Sequence, residues 1–121
     1  MAASSIVISG TISGTPTGVR QVGPVTVTSA TPNGSVQRVV LAAGDNTILC
    51  PVSPQATGCL IQLNSSNTSL TTLKGVAADT GVPIGKTGAQ VLTWESANAP
   101  ASIILNSASA QAGVATEIQW W

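Results

Sequence analysis

The chain has 121 residues, with four Lys or Arg and four Asp or Glu side chains, so its formal net charge is zero. Charged residues make up 7% of the sequence, where about a quarter is usual. Four scattered cations cannot form the basic surface that nucleic acids or anionic membranes require. The chain also has no His, the commonest general base and nitrogen metal ligand. We therefore expect no nucleic-acid or membrane partner and no cofactor.

Apolar residues recur along the chain with a period of two, which is typical of strands with one solvent-facing side. In chain order, strand-like runs cover residues 5–12, 25–28, 36–42, 47–51, 59–63, 69–74, 89–95, 101–106 and 114–120. Turn-forming Gly, Pro, Asn and Asp residues separate many of them. The pattern predicts an all-β fold: a single antiparallel β-sandwich over residues 1–121, of jelly-roll or Greek-key topology, with about nine short strands and no substantial helix.

Residues 77–88 contain three glycines and Pro83 and are predicted to form a loop. Within them, Gly85-Lys86-Thr87 invites comparison with a phosphate-binding loop. That motif needs a glycine five residues before its Gly-Lys pair and a helix after it. Thr80 occupies the first position, and a strand-like run follows the triplet. We therefore favour a surface loop over a nucleotide site.

Cys50 and Cys59 are separated by eight residues and lie at the edges of two predicted strands. A hairpin can bring them to cross-strand distance, where a disulfide is sterically allowed. The alternative, which we favour, is a pair of small buried thiols in a reducing compartment, since residues 1–10 lack the features of a secretory signal. Two thiols without further soft ligands or a His predict neither a metal site nor a catalytic thiol.

The four carboxylates are the remaining candidates for acid–base chemistry. A glycosidase-type pair would need two of them about 5–10 Å apart. Glu95 and Glu117 fall on alternating runs, where a solvated strand position is the ordinary explanation. We therefore predict that the chain is not an enzyme and has no catalytic residue.

Three tryptophans are the largest side chains of the sequence. Alternation places Trp120 inward, and it places Trp121 on the opposite, polar face. Two interpretations of Trp121 stay open: it contacts another protein, since Trp is enriched at interface hot spots, or the chain end folds over and Trp121 covers the core. Trp94 is predicted to fill the core, with sugar stacking as the alternative for Trp94 or Trp121.

The two ends of the chain are predicted to form protein interfaces. The residues assigned to them are Ile6 and Ile8 near the N-terminus and Trp120 and Trp121 at the C-terminus. A surface with few charges suits such contacts, because burying ions between subunits is costly.

Segments 44–48 (GDNTI), 56–61 (ATGCLI) and 73–84 (LKGVAADTGVPI) share a Gly- and Thr-rich pattern. In these segments the chain resembles small accessory structural proteins from the heads or tails of tailed bacteriophages. The resemblance implies a β-sandwich that assembles as a symmetric oligomer on the virion, and it implies no catalytic residues.

These observations together lead to an expected function. We expect a bacteriophage virion structural protein: a capsid decoration or cement subunit, a homotrimer that binds the major capsid protein and stabilises the outer shell. The alternative is a tail- or fibre-associated module that binds host cell-surface glycan. Since no apolar run approaches about 18 residues and no secretory signal is recognised, we expect the protein in virions assembled in the host cytoplasm.

Overall fold

The structure, a computed structural model, describes residues 4–12, 18, 20–29 and 33–121. These residues form ten β-strands and one short 3-10 helix, Ser96–Asn98. All strand pairs are antiparallel. The prediction of an antiparallel all-β fold without a substantial helix is therefore confirmed, with ten strands found where about nine were expected.

Backbone contacts divide the chain into two compact units, Met1–Pro32 and Asn33–Trp121. The first unit contains strands β1 (Ser4–Ile12) and β2 (Arg20–Ser29). They pair with each other as a two-stranded sheet, called here the N-terminal ribbon. The predicted single domain spans both units, whereas the strands of the sandwich all belong to the second.

The second unit is a sandwich of two four-stranded sheets. In chain order its strands are β3 (Val36–Val39), β4 (Gly44–Leu49), β5 (Gly58–Gln62), β6 (Thr71–Lys74), β7 (Val82–Gly85), β8 (Ala89–Thr93), β9 (Ser102–Ser107) and β10 (Thr116–Trp120). One sheet has the order β3-β10-β5-β8 and the other β4-β9-β6-β7. Successive strands alternate between the sheets except at the β6–β7 hairpin. This arrangement is the jelly-roll topology, one of the two predicted.

The hydrophobic core lies between these two sheets and follows the predicted alternation. Along β10, Ile118 and Trp120 are almost fully buried, while Gln119 between them is exposed. The same inward face is supplied by Cys59, Ile61, Ile48, Ile103 and Leu105 on the neighbouring strands. Burying aliphatic side chains contributes roughly 1.5–3 kcal/mol each, so this layer stabilises the sandwich.

One part of the interior is polar. Thr71 and Ser107, on paired strands β6 and β9, are buried, as is Gln111 in the segment before β10. The Gln111 Nε2 group donates to Thr71 Oγ1 at 3.1 Å and to Ser107 Oγ at 2.9 Å. Ser107 Oγ in turn donates to the Ser109 carbonyl at 2.6 Å. The hydroxyl groups of Thr71 and Ser107 therefore form a hydrogen-bonded network with Gln111 inside the protein.

The prediction of a loop over residues 77–88 is wrong at its centre, where β7 lies. This strand is at the edge of its sheet, where Pro83, which lacks an N–H group, is tolerated. The register shifts where β6 pairs with β7. Gly81, just before β7, has a φ of 80°, and a side chain there would meet the Leu73 carbonyl. Pro and Gly thus mark an irregular edge strand here.

None of the helical turns in the described part of the chain is long and apolar enough to cross a membrane.

Candidate interaction surfaces

The N-terminal ribbon has one apolar face and one face rich in hydroxyl groups. In the register of β1 with β2, Ile8 lies opposite Val25, and Val7 lies opposite Thr26. Because cross-strand partners share a face and successive residues alternate, Ile8, Val25 and Val27 lie on one side. Val25 is 54% exposed, and Ile8 and Val27 are half-buried. The ribbon therefore presents apolar side chains that the chain itself does not cover completely.

Of the predicted interface residues near the N-terminus, Ile8 belongs to this apolar face. The backbone of Ile6 pairs with Val27 in the same ribbon, but its side chain lies outside the described part of the structure.

Trp121 is buried, with 8% of its surface exposed. Its backbone N donates to the Gly58 carbonyl at 3.2 Å, and its own carbonyl accepts from the Thr57 N–H at 2.7 Å. The expected exposure of Trp121 is wrong, because its indole packs on Gly58 while its backbone continues the pairing of β10 with β5. As the second interpretation expects, Trp121 is covered within the chain, at the start of β5, and an interface role for it stays a prediction.

Trp94 and Trp120 form an aromatic pair. Their ring centroids are 6.3 Å apart with an interplanar angle of 59°, a tilted arrangement that aromatic pairs favour. Trp120 Nε1 donates to Gln37 Oε1 at 2.9 Å, and Trp94 Nε1 donates to the Ala56 carbonyl at 2.7 Å. Trp120 is 1% exposed, and Trp94 is half-buried against the core. The predicted core position of Trp94 agrees with this packing.

The burial of Trp120 and Trp121 bears on their predicted interface role. Both indoles are occupied by contacts within the sandwich, so neither presents a free surface to a partner in this conformation. A sugar-stacking platform at Trp121 lacks an accessible ring face for the same reason.

Cys50 and Cys59 are free thiols in the structure, not a disulfide, and both are buried in the core cluster. Burial raises the pKa of the Cys59 thiol to about 12, with a smaller contribution from the nearby Cys50. Burial also raises the pKa of Cys50, partly offset by a hydrogen bond from Gln55. A thiol with a raised pKa holds little nucleophilic thiolate at neutral pH, so these residues serve packing.

The acidic residues are distributed over different parts of the sandwich. Asp45 lies on β4 and Glu117 on β10, which belong to opposite sheets. Asp79 accepts a hydrogen bond from the Val76 N–H in the β6–β7 connection, and Glu95 directly precedes the 3-10 helix. Among the described residues, no three His, Cys, Asp or Glu side chains gather as a metal site would need.

Two of these carboxylates form ion pairs with strand cations. Lys74 Nζ lies 3.0 Å from Asp45 Oδ1, and Asn106 Nδ2 donates to the same oxygen at 2.7 Å. Hydrogen bonds, first from Asn106 and then from Lys74, lower the pKa of Asp45. Arg38 Nε lies 3.3 Å from Glu117 Oε2. Half of the few charges in the sequence are therefore neutralised locally.

A polar cleft lies beside the outward face of the β3-β10-β5-β8 sheet. Pairing of β10 with both neighbours places Arg38, Glu117 and Gln62 in one row across three strands. The cleft has a volume of about 310 Å3 and adjoins a smaller one of about 210 Å3. The larger is lined by Gln62, Leu63, Asn64, Ser65, Thr87, Ala115 and Glu117, and the smaller by Arg38, Asn64, Ala115 and Glu117.

The sequence did not indicate this cleft. Its residues lie far apart along the chain, and only the pairing of β10 between β3 and β5 brings them together. Period-two alternation predicts which residues face outward, but it cannot predict which strands are neighbours.

Of the Gly-Lys-Thr triplet, Thr87 belongs to this lining. The cation of the triplet, Lys86, lies in the turn that joins β7 to β8, and the Lys86 carbonyl accepts from Asn67 Nδ2 at 2.7 Å.

Comparison with known proteins adds no relative: no protein family, no curated protein and no solved structure matches this chain.

Proposed function

We propose that this chain is a structural protein of a bacteriophage particle, a capsid decoration subunit that binds the outer shell and stabilises it through symmetric contacts. The observation that carries the proposal is the N-terminal ribbon, on whose apolar face Val25 is 54% exposed. A two-stranded sheet alone is at best marginally stable in water. A ribbon that exposes Val25 therefore gains stability when another protein surface covers it.

The charge distribution supports the same proposal. Ion pairs hold Asp45 with Lys74 and Arg38 with Glu117, so packing such a surface against a neighbour desolvates few isolated charges. A protein with zero net charge also has little electrostatic repulsion against its own copies. In a closed assembly, identical weak contacts add up through multivalency. We propose a homotrimer with the major capsid protein as its partner.

The resemblance to phage accessory proteins gives the proposal its biological setting. Jelly rolls are used by capsid proteins, although the same topology also serves lectins and enzymes. The fold alone therefore does not choose between these roles. The ribbon, which lies outside the sandwich sheets, favours assembly.

The self-association part of the proposal is tested by a matched pair of ribbon variants. Val25 and Thr26 are adjacent, both are exposed, and they lie on opposite faces of β2. We expect sedimentation analysis to give a trimer for the wild type. Val25→Asp should weaken association by at least about a hundredfold, because an unpaired carboxylate would be buried. Thr26→Asp should leave it nearly unchanged.

A wild-type chain that stays monomeric at about 100 µM, or variants with equal effects, would contradict the trimer. The virion role has a separate measurement. Mass spectrometry of purified particles from the source should find the chain at a copy number comparable to that of the shell protein. Its absence from the particles would refute the decoration role.

A further inference from the structure

We propose that the polar cleft at Arg38, Gln62, Asn64 and Glu117 binds a neutral saccharide. This site is independent of the ribbon and goes beyond the proposed decoration role. Arg38 lines the smaller part of the cleft, which has a volume of about 210 Å3. The larger part, lined by Gln62, Asn64 and Glu117, has a volume of about 310 Å3, at the lower end of the range for small-molecule sites. It is therefore large enough for one or two sugar rings, not for an extended chain.

The chemistry of the lining selects the class of ligand. Glu117 supplies acceptor oxygens, Arg38 supplies N–H donors, and the amides of Gln62 and Asn64 supply both. Neighbouring sugar hydroxyls each donate and accept, so they can pair with such an alternating set. Leu63 and Ala115 are the apolar residues of the lining, so an apolar ligand would leave most polar groups unpaired.

Charge argues for a neutral ligand. Arg38 and Glu117 already neutralise each other across 3.3 Å, so the cleft has no net charge to attract a phosphate or an ammonium group. The guanidinium and the carboxylate also keep further donor and acceptor sites, because each makes more than one hydrogen bond. The ion pair can therefore stay formed while a hydroxyl group bridges it.

The side-chain amides of Asn64 and Gln62 can still form hydrogen bonds with a ligand. Asn64 lies two residues after the end of β5, and its Oδ1 accepts from the Ser66 N–H at 2.9 Å. That bond fixes the side chain in a turn and leaves its Nδ2 donor without a partner among the described residues. Gln62 extends from the outward face of β5, opposite Glu117, and is exposed. The Asn64 amide is thus held in one position, which lowers the entropy cost of binding through it.

We expect weak binding by a single chain, with Kd in the millimolar range, because the cleft is shallow and lacks an aromatic platform. The test is a titration of the full chain followed by amide chemical shifts. The probes are the methyl glycosides of glucose, galactose, mannose and N-acetylglucosamine, with glycerol as a polyol control. At least one glycoside should give saturable shifts at Asn64, Ser65 and Glu117.

Two variants and one matched control connect the binding to the cleft. Glu117→Gln and Asn64→Ala should each weaken it by about tenfold, the effect of one lost hydrogen bond to a charged or fixed group. Glu95→Gln makes the same chemical change outside the cleft and should leave affinity unchanged. Amide spectra of the variants without sugar check that the fold is retained.

Three results would overturn the proposal. These are no saturable shift with any glycoside up to about 50 mM, saturable shifts centred elsewhere on the sandwich, and binding that Glu117→Gln and Asn64→Ala leave unchanged. Each of these results leaves the decoration role untouched, because that role depends on the ribbon and is measured by association and particle content.

Discussion

The indole of Trp121 lies against the backbone of Gly58 at the start of β5. A Cβ atom at Gly58 would lie 2.7 Å from the indole Cε2 and Nε1 atoms and 2.6 Å from the Leu92 carbonyl oxygen. Such distances are shorter than real carbon contacts, so only glycine fits there without displacement. Because Gly58 has no side chain, the Trp121 indole can pack directly on its backbone.

This contact makes Trp121 a stability residue. Trp121→Ala should lower the free energy of unfolding by about 3–5 kcal/mol, the usual cost of removing a buried large aromatic side chain. Gly58→Ala should also destabilise, by about 1–3 kcal/mol, because the added methyl group must displace the indole or a strand. Urea denaturation followed by circular dichroism measures both.

Gln119→Ala is the control, because Gln119 is exposed on the neighbouring strand position and its loss should cost less than about 0.5 kcal/mol. If Trp121→Ala unfolded like the wild type but failed to associate, the first interpretation of Trp121, as a contact residue, would be correct after all.

The tryptophans also show how far residue-level prediction extends. The period-two pattern correctly predicts that Trp120 points inward, because Trp120 is still inside β10. It does not predict the burial of Trp121, because that burial depends on Gly58, a distant residue without a side chain on which the indole packs. The burial of the Thr71 hydroxyl was equally unpredictable, because its hydrogen bond comes from Gln111, 40 residues away in the sequence.

At the scale of the elements, three polar side chains from neighbouring strands interact on the outer side of the β4-β9-β6-β7 sheet. Asp45, Asn106 and Lys74 belong to β4, β9 and β6, which are neighbours in that order. The Asp45 carboxylate accepts from both partners, and Lys74 Nζ also donates to the Ala77 carbonyl at 3.2 Å. One carboxylate therefore connects three strands and the connection after β6.

The lowered pKa of Asp45 makes this group a source of acid sensitivity. A carboxylate with a folded-state pKa below its ordinary value of 3.8 stabilises the fold above that pH. The stabilisation is lost as the pH falls through the lower folded-state pKa. We expect Asp45→Asn to reduce the loss of stability as the pH falls below about 4, measured as urea midpoints.

The two hydrogen bonds to Asp45 can be tested by variants. Asn106→Ala and Lys74→Ala should each remove part of this pH dependence, because Asn106 donates one hydrogen bond to Asp45 and Lys74 supplies both a hydrogen bond and its positive charge. An acid transition that is identical in wild type and Asp45→Asn would show that other carboxylates govern it.

Most strand positions are predictable from the sequence, and the exception among the strands of the sandwich is the edge strand β7. The alternating run before the C-terminus becomes β10, and the run at 101–106 becomes β9 (Ser102–Ser107). β7 (Val82–Gly85) was missed because Pro83 and its glycines ordinarily signal a loop. An edge strand needs hydrogen bonds on one side alone, so it tolerates residues that would break a central strand.

For the whole molecule, the sequence predicts the class of fold and two candidate topologies. The choice of the jelly roll requires knowing that β3 and β10 are neighbours, although about 80 residues separate them. Such distant pairing leaves no local signal. The polar cleft follows directly from it, so the cleft could not be predicted either.

The division into two compact units leads to a prediction about the ribbon. The core cluster consists of residues from Leu41 to Trp120, so a truncated chain of residues 33–121 should fold by itself. We expect cooperative thermal unfolding within about 4–8 °C of the full chain, equivalent to about 1 kcal/mol for this size.

Because the ribbon is the proposed contact element, the truncated protein should sediment as a monomer where the full chain is a trimer. A truncated protein that still forms the trimer would place the contact on the sandwich, and one that fails to fold would make the ribbon part of the fold. As a control for the cut itself, the full chain carrying Val25→Asp should match the truncated protein in oligomeric state and should also melt within about 4–8 °C of the wild type.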